Sequence, residues 1–433
     1  SVQVEVWYNE TSNISENLTS LSYTDNGAGE SDTIDLTLEN QAGVWNGSWH
    51  PQKGDTVRVR IIGRNWEKQG QDKMLECGKF ILDEFSINTW PHTISLQGLS
   101  KPANTDFSTR DRGDTWMNTT IKRIGESIAA RYGLEFHFDG MDVEIDCREQ
   151  SGPDGEFYSA LCKDYGFIVK AYCESMWVWE RERYKSKIAV KNFVPADHKP
   201  GSLSYRESLT EKYTGGSFRY TDADKDCDIL CDVGDESGKV LFLNQRASGT
   251  MDASLQLCAA VNEANHSRIS MEFETIGEFD VSASNNVRLI GFGPLDGKYF
   301  AETVTHTIDR NGGFTTRFSC TGIRDAFWYW EVGGSIEYNQ QEETRSVETY
   351  AASEAASAAA GAEAGAAVNL DNAPFYSSST ASNPSCYKSG TYYFYDGILI
   401  SGRYRITNLA SRCGKQPIGQ NVTGWVPAEY CSG

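Results

Sequence analysis

The feature that most constrains this chain is an alternation of apolar and polar residues with a period of two, punctuated by Gly, Asn and Asp. Val2, Val4 and Val6 alternate with polar neighbours, as do Ile34, Leu36 and Leu38. Thr56 to Ile61 follows Lys53-Gly54-Asp55, and the stretches Gly78 to Asp83 and His92 to Gln97 flank a turn containing Pro91. Only a half-buried antiparallel sheet uses such a pattern repeatedly, so residues 1–110 read as a first β-barrel or sandwich domain. Aromatic residues, at 12% of the chain, suit sheet faces and broad contacts better than helical bundles.

The period changes near Asp114. Ile121, Ile124, Ile128 and Tyr132 fall at helical spacing, with Asp114 or Thr115 as the expected cap and Gly133 as the stop. A second helix is expected after Gly152-Pro153-Asp154, with Phe157, Leu161 and Tyr165 on one face. A hairpin around Glu174-Ser175 follows it. Residues 111–195 therefore read as an inserted α+β domain. From 196 to 323 the alternation returns in Ile269, Met271 and Phe273, in Tyr299 to Ile308, and in Phe314 to Thr321. One helix, about Asp252 to Ala264 with Leu255, Cys258 and Ala259 inward, interrupts this second β-barrel domain.

Residues 324–385 read as a linker. Their Ala-rich part, 351–367, has helix propensity but little to bury, and Asn372 to Ser385 is rich in Ser, Thr, Asn and Pro. Aromatic alternation resumes at Cys386, so 386–433 read as a small independent β-module. The fold class expected is mainly β with an α+β insertion.

Sixty acidic against forty basic residues leave a formal charge of −20. Such a surface repels phosphate backbones and anionic lipid, which excludes sequence-specific nucleic-acid binding as a reading. No stretch approaches the ~18 consecutive apolar residues that a spanning helix needs. Ser1 to Val6 alternates like a strand rather than a leader peptide. Eleven cysteines without repeated spacing read as buried thiols, in a chain long enough not to need staples.

Chemistry is sparse. No two of the six histidines lie within five residues, so a helix-borne metal pair is absent. His306 sits mid-strand and reads as structural. Cys227 and Cys231 lack two further ligands at comparable spacing, and flanking aspartates disfavour thiolates. Gly291-Phe292-Gly293-Pro294 has no helix after it and reads as a turn, not a phosphate loop. No catalytic residue, metal site or cofactor is expected.

The order of elements is familiar. The first barrel holds Cys77-Gly78-Lys79-Phe80-Ile81-Leu82-Asp83. Ile124-Gly125-Glu126-Ser127-Ile128-Ala129-Ala130-Arg131-Tyr132-Gly133-Leu134 comes next, followed by Arg148-Glu149-Gln150-Ser151 and Phe157 to Phe167. A later stretch runs from Gly291 through Asp296-Gly297-Lys298-Tyr299-Phe300 to His306. Over residues 1–323 this series resembles the phage late control protein D family, the baseplate or tail-tip hubs of tailed phages and contractile injection systems. The resemblance implies a non-enzymatic homotrimer with two tube-like β-barrels per chain, joining a hexameric tail tube to a trimeric central spike or tip. It also implies tail tube, spike, other baseplate and tape-measure proteins as partners. The location implied is a virion or phage-tail-like particle assembled in the bacterial host cytoplasm. An acidic channel wall would let DNA pass without sticking.

The C-terminal module resembles a bacterial SH3-like barrel, which often binds cell wall. Tyr393, Tyr395 and Trp425 are its candidate platform for glycan or peptide, the alternative being that they fill the module's own core. Cys386, Cys413 and Cys431 could pair there outside the cell. The alternative function is a secreted or particle-borne wall-binding protein, or a wall hydrolase carrying a wall-binding module.

Overall fold

The computed structural model describes residues 1–338 and 363–431, apart from residues 28, 103–105, 173, 209, 211, 224, 236, 311–312, 324–325, 380, 382–383, 401 and 416–420. It divides into two compact units, Ser1–Gln340 and Gln341–Gly433. Both are mainly β.

Alternation places the strands of the first region as expected. Val6, Ile34, Leu36, Leu38, Val57, Val59, Ile61, Ile94 and Leu96 are all buried, while their alternate neighbours, Ile62 apart, are mostly half-buried or exposed. In space the strands run Leu18–Asn26, Thr33–Glu39, His92–Leu99, Lys73–Thr89, Thr56–Gly63 and Val2–Tyr8, each antiparallel to the next. Phe80, Trp45 and Tyr23 fill the space beneath them. Burying each such side chain contributes about 2–3 kcal/mol against conformational entropy.

The two β-regions are not separate sheets. Leu18–Asn26 pairs antiparallel with Gly297–Asp309, from Thr303↔Asn26 to Asp309↔Ser20, so one hydrogen-bonded sheet of thirteen strands runs through both. Gly313–Gly322, Ile269–Ile276 and Ser204–Glu207 continue it beyond that seam. Phe279 and Phe314 reach across and pack into the first region's core. This crossing needs Gly277, because a Cβ there would lie 1.9 Å from Phe314 Cδ1.

The second region also departs from a single barrel over 196–323. Tyr213–Asp222, Cys227–Gly234 and Lys239–Leu243 leave the large sheet and join Gly333–Tyr338 in a separate four-stranded sheet. The helix Thr250–His266 covers it. That helix buries Ala253, Leu257, Cys258 and Val261, so the stripe is rotated from the expected Leu255, Cys258 and Ala259. The reason is a second neighbour: Leu255 packs against the inserted domain's core instead.

The inserted domain has a sheet of Glu135–Asp139, Ser175–Glu180 and Phe167–Tyr172, with helices Ile121–Arg131 and Asp154–Asp164. The expected hairpin is present, with Glu174 at φ +63°. The expected cap is displaced. Thr120, not Asp114 or Thr115, caps the first helix, its Oγ1 accepting from Arg123 N at 3.2 Å. Thr115–Thr120 instead forms a strand paired with Glu144–Glu149. Gly125 lets helix and sheet approach, since a Cβ there would meet Tyr158 Oη at 2.2 Å and Phe136 Cζ at 2.5 Å. At the far end of the 111–195 segment, Lys191–Phe193 pairs with Asn286–Leu289 and belongs to the large sheet.

The second unit is an antiparallel sheet of Ala367–Phe375, Cys386–Ile400, Arg403–Thr407 and Gly424–Pro427. Its first strand lies inside the stretch read as linker, and Gly333–Tyr338 does too. Val368, Leu370, Ala373 and Phe375 are buried in the core with Phe394, Ile406 and Val426. A register shift between Leu370 and Ala373 breaks the alternation, which hides this strand from a period-two reading. The alanine-rich residues 351–362 lie outside the described residues.

Candidate assembly surfaces and ligand platform

In the first unit, a few charged side chains are buried where domains meet. Lys170 lies in the apolar run Phe167-Ile168-Val169-Lys170-Ala171-Tyr172, on the inserted domain's strand Phe167–Tyr172. Its ammonium bridges Asp25 and Asp32, the latter at 2.8 Å. Asp32 also accepts from Asn26 N at 2.9 Å, and Asp25 accepts from Ala283 N at 2.8 Å. Burial raises the Asp32 carboxyl to about 6, against the pull of Lys170. Burial would lower Lys170, but the two carboxylates outweigh it and hold the amine above its ordinary value.

A second junction ties the inserted domain, the helix Thr250–His266 and the large sheet together. Arg181 pairs with Glu263, and His266 Nε2 lies 2.9 Å from Glu302, which accepts from Thr321 Oγ1 at 2.8 Å. Burial would raise Glu302, yet the hydrogen bond from His266 prevails and keeps it below its usual range. Nearby, Asn286 Nδ2 donates to the Tyr184 and Lys187 carbonyls at 2.8 Å. Lys298 Nζ donates to the Lys185 carbonyl at 2.7 Å. Buried pairs add little net stability but penalise any other arrangement, because a displaced partner leaves a charge uncompensated. These junctions set orientation.

The residues considered for chemistry are placed structurally. His306 is buried, its Nδ1 3.0 Å from Thr316 Oγ1, and burial pushes it down to about 4. Cys227 and Cys231 are buried free thiols on one strand, and burial pushes the Cys231 thiol up. The Gly291–Pro294 turn is held by Asp296, whose carboxylate accepts from Gly291 N at 3.1 Å and Phe292 N at 2.6 Å. Among the described residues no group of His, Cys, Asp and Glu is placed to hold a metal ion, and no helix is long and apolar enough to cross a membrane.

In the second unit the three platform candidates separate. Tyr393 pairs with Thr407, and Trp425 pairs with Arg405. Thr407 and Arg405 are two apart on one strand, so Tyr393 and Trp425 share the face opposite Tyr404, Ile406 and Val426. The Arg405 guanidinium lies 4.9 Å from the Trp425 ring centroid and pairs with Asp396. Tyr395 is 2% exposed and donates its hydroxyl to the Lys415 carbonyl, so it is taken up in the fold. Cys386, Cys413 and Cys431 are free thiols, and burial raises Cys431 to about 11.

No family model matches the sequence. Over 129 residues the chain is 31% identical to a probable baseplate hub protein of Escherichia phage P2; the match spans 29% of this chain and 30% of that protein. A tail protein of Neisseria meningitidis MC58 superposes with a TM-score of 0.56 at 11% identity, over 76% of this chain and 98% of the other. The 43 kDa tail protein of prophage MuSo2 from Shewanella oneidensis gives 0.52 at 12% identity, over 74% and 97%. The fold is that of phage tail proteins.

Within this tail fold the two junctions are what sequence reading missed. Asp25 and Lys170 are 145 residues apart, and no local pattern joins them. One signal was present: a lysine inside an otherwise apolar strand implies a buried partner.

Proposed function

We propose that this chain is the structural, non-enzymatic hub of a phage-tail-like baseplate, a homotrimeric adaptor joining a hexameric tail tube to a trimeric spike or tip. One observation carries the reading: a thirteen-stranded sheet that runs unbroken through two β-regions, with the tail-protein fold around it. A subunit presenting two sheet halves side by side offers a threefold ring six comparable segments for a sixfold tube. Residues 1–110 and the large-sheet strands of 196–323 serve as those halves, and 111–195 as the spike-facing domain. The likeness to the phage P2 hub supports this placement in a virion or tail-like particle. Tail tube, spike, other baseplate and tape-measure proteins are its partners.

The C-terminal module meets a bacterial wall ligand through Tyr393 and Trp425, while the Tyr395 hydroxyl is spent on the Lys415 carbonyl. Their shared sheet face supports this, since flat rings there can stack on sugar or peptide. Native mass spectrometry of the full chain is the deciding measurement. A trimer is expected; a monomer at tens of micromolar overturns the hub. For the module, Trp425→Ala is expected to weaken sedimentation with purified wall at least fivefold.

A further inference from the structure

The strand Lys73–Thr89 outruns its neighbour. Its pairing with Thr56–Gly63 stops at Thr56↔Ile81, and Leu82 N adds a last bond to Asp55 O at 2.9 Å. On its other side it pairs with His92–Leu99 as far as Thr89↔His92. Residues 83–89 therefore form an arm with one paired edge, and no described strand pairs with its far edge. Asp83, Glu84, Ser86, Asn88 and Thr89 are exposed, and Trp90 at its tip is 88% exposed. Neither Asp83 nor Glu84 has an ion-pair partner among the described residues. An unpaired edge of this length is a template for a further strand.

A complementary edge exists in the same unit. Lys239–Leu243 closes one side of the four-stranded sheet, and among the described strands it pairs with Tyr213–Asp222 alone. Leu241 and Leu243 pack against that sheet's core, while Phe242 is 77% exposed. Lys239 lies over the Tyr213 ring at 4.1 Å and has no ion pair among the described residues. Other edges fit an acidic arm less well. Glu135–Asp139 carries acid at both ends, Gly333–Tyr338 carries Glu337, and on Ser204–Glu207 the Glu207 carboxylate is held by Arg268 at 3.0 Å.

We propose that the 83–89 arm of one copy adds as a strand to the Lys239–Leu243 edge of a second copy. Lys239 then meets the carboxylates of Asp83 and Glu84, and Phe242 is covered. The contact joins two different patches, so it repeats head to tail and closes into a ring when the rotation allows. This rests on the homotrimer reading and names the surfaces that build it.

The test mixes ordinary and heavy-nitrogen full-length chains in which the photo-crosslinking residue p-benzoylphenylalanine replaces the exposed Ser86, and reads native mass alongside crosslinked peptides. Crosslinks of mixed isotopic composition between position 86 and the 239–243 peptide are expected. A multimer whose crosslinks fall elsewhere, or that forms none, overturns the strand pairing and leaves the hub reading standing. A monomer overturns both. Phe242→Glu provides the second arm: at least tenfold weaker association with unchanged thermal unfolding is expected, and unchanged association overturns the pairing.

Discussion

The large sheet and the junctions that fasten the inserted domain to it are held by different physics. Beneath the sheet, Val6, Leu36, Val59, Phe80 and Leu96 are fully or almost fully buried with apolar neighbours. Their burial is favourable in many similar arrangements, so it supplies stability more than direction. At the junction, Lys170 must reach Asp25 and Asp32 together, and little else satisfies it. That contact adds little net energy and much geometric selectivity. The two contributions are complementary: the sheet core supplies stability, and the junction holds the inserted domain at one angle.

The largest effect expected from breaking this contrast is in the sheet. Phe80→Ala should remove about 4 kcal/mol of unfolding free energy, read by urea denaturation, since it leaves a cavity under the central strands. At the junction, Lys170→Met should cost about 3 kcal/mol by leaving two buried carboxylates unpaired. Limited proteolysis should then cut between the inserted domain and the sheet before the sheet itself unfolds. Equal protection of both segments would show that the junction does not set the domain's position.

The acid response sharpens the comparison. Asp32 binds its proton more tightly folded than unfolded, so its contribution to stability rises as pH falls from about 6 towards 4. His306, held down to about 4, acts oppositely, and its contribution is lost as pH falls from the ordinary histidine range through that value. Wild type should therefore gain on the order of 2 kcal/mol relative to Asp32→Asn between pH 7 and pH 4. Relative to His306→Gln it should lose stability over the same range. Denaturant titrations at both pH values check each sign. The smallest effect is local: Thr120→Ala should cost about 1 kcal/mol through the lost helix cap, visible as a shifted urea midpoint.

Legibility followed the range of the interactions. The strands carrying Ile34, Leu36 and Leu38 and the helix with Ile121, Ile124 and Ile128 were readable because each pattern repeats within a few residues. Ala367–Phe375 was not, because its bulge shifts the apolar residues off the even count. The three module aromatics were nameable from the sequence, but their placement was not. Tyr393 and Trp425 share a face, whereas the fate of Tyr395 turned on a carbonyl twenty residues further along the chain.

By itself the sequence determined the period of each segment, and with it the mainly β character and the helical insertion. Solvent exclusion acts on every apolar side chain wherever its partner lies, so alternation alone specifies a sheet face. Which strands become neighbours was decided only in three dimensions. The seam between Leu18–Asn26 and Gly297–Asp309, the departure of 213–243 into a separate sheet with Gly333–Tyr338, and the seat of Lys170 all depend on partners far apart in the chain. Backbone hydrogen bonds carry no residue identity. Pairing is chosen by the fit of side chains across the completed core, and no local window contains that fit.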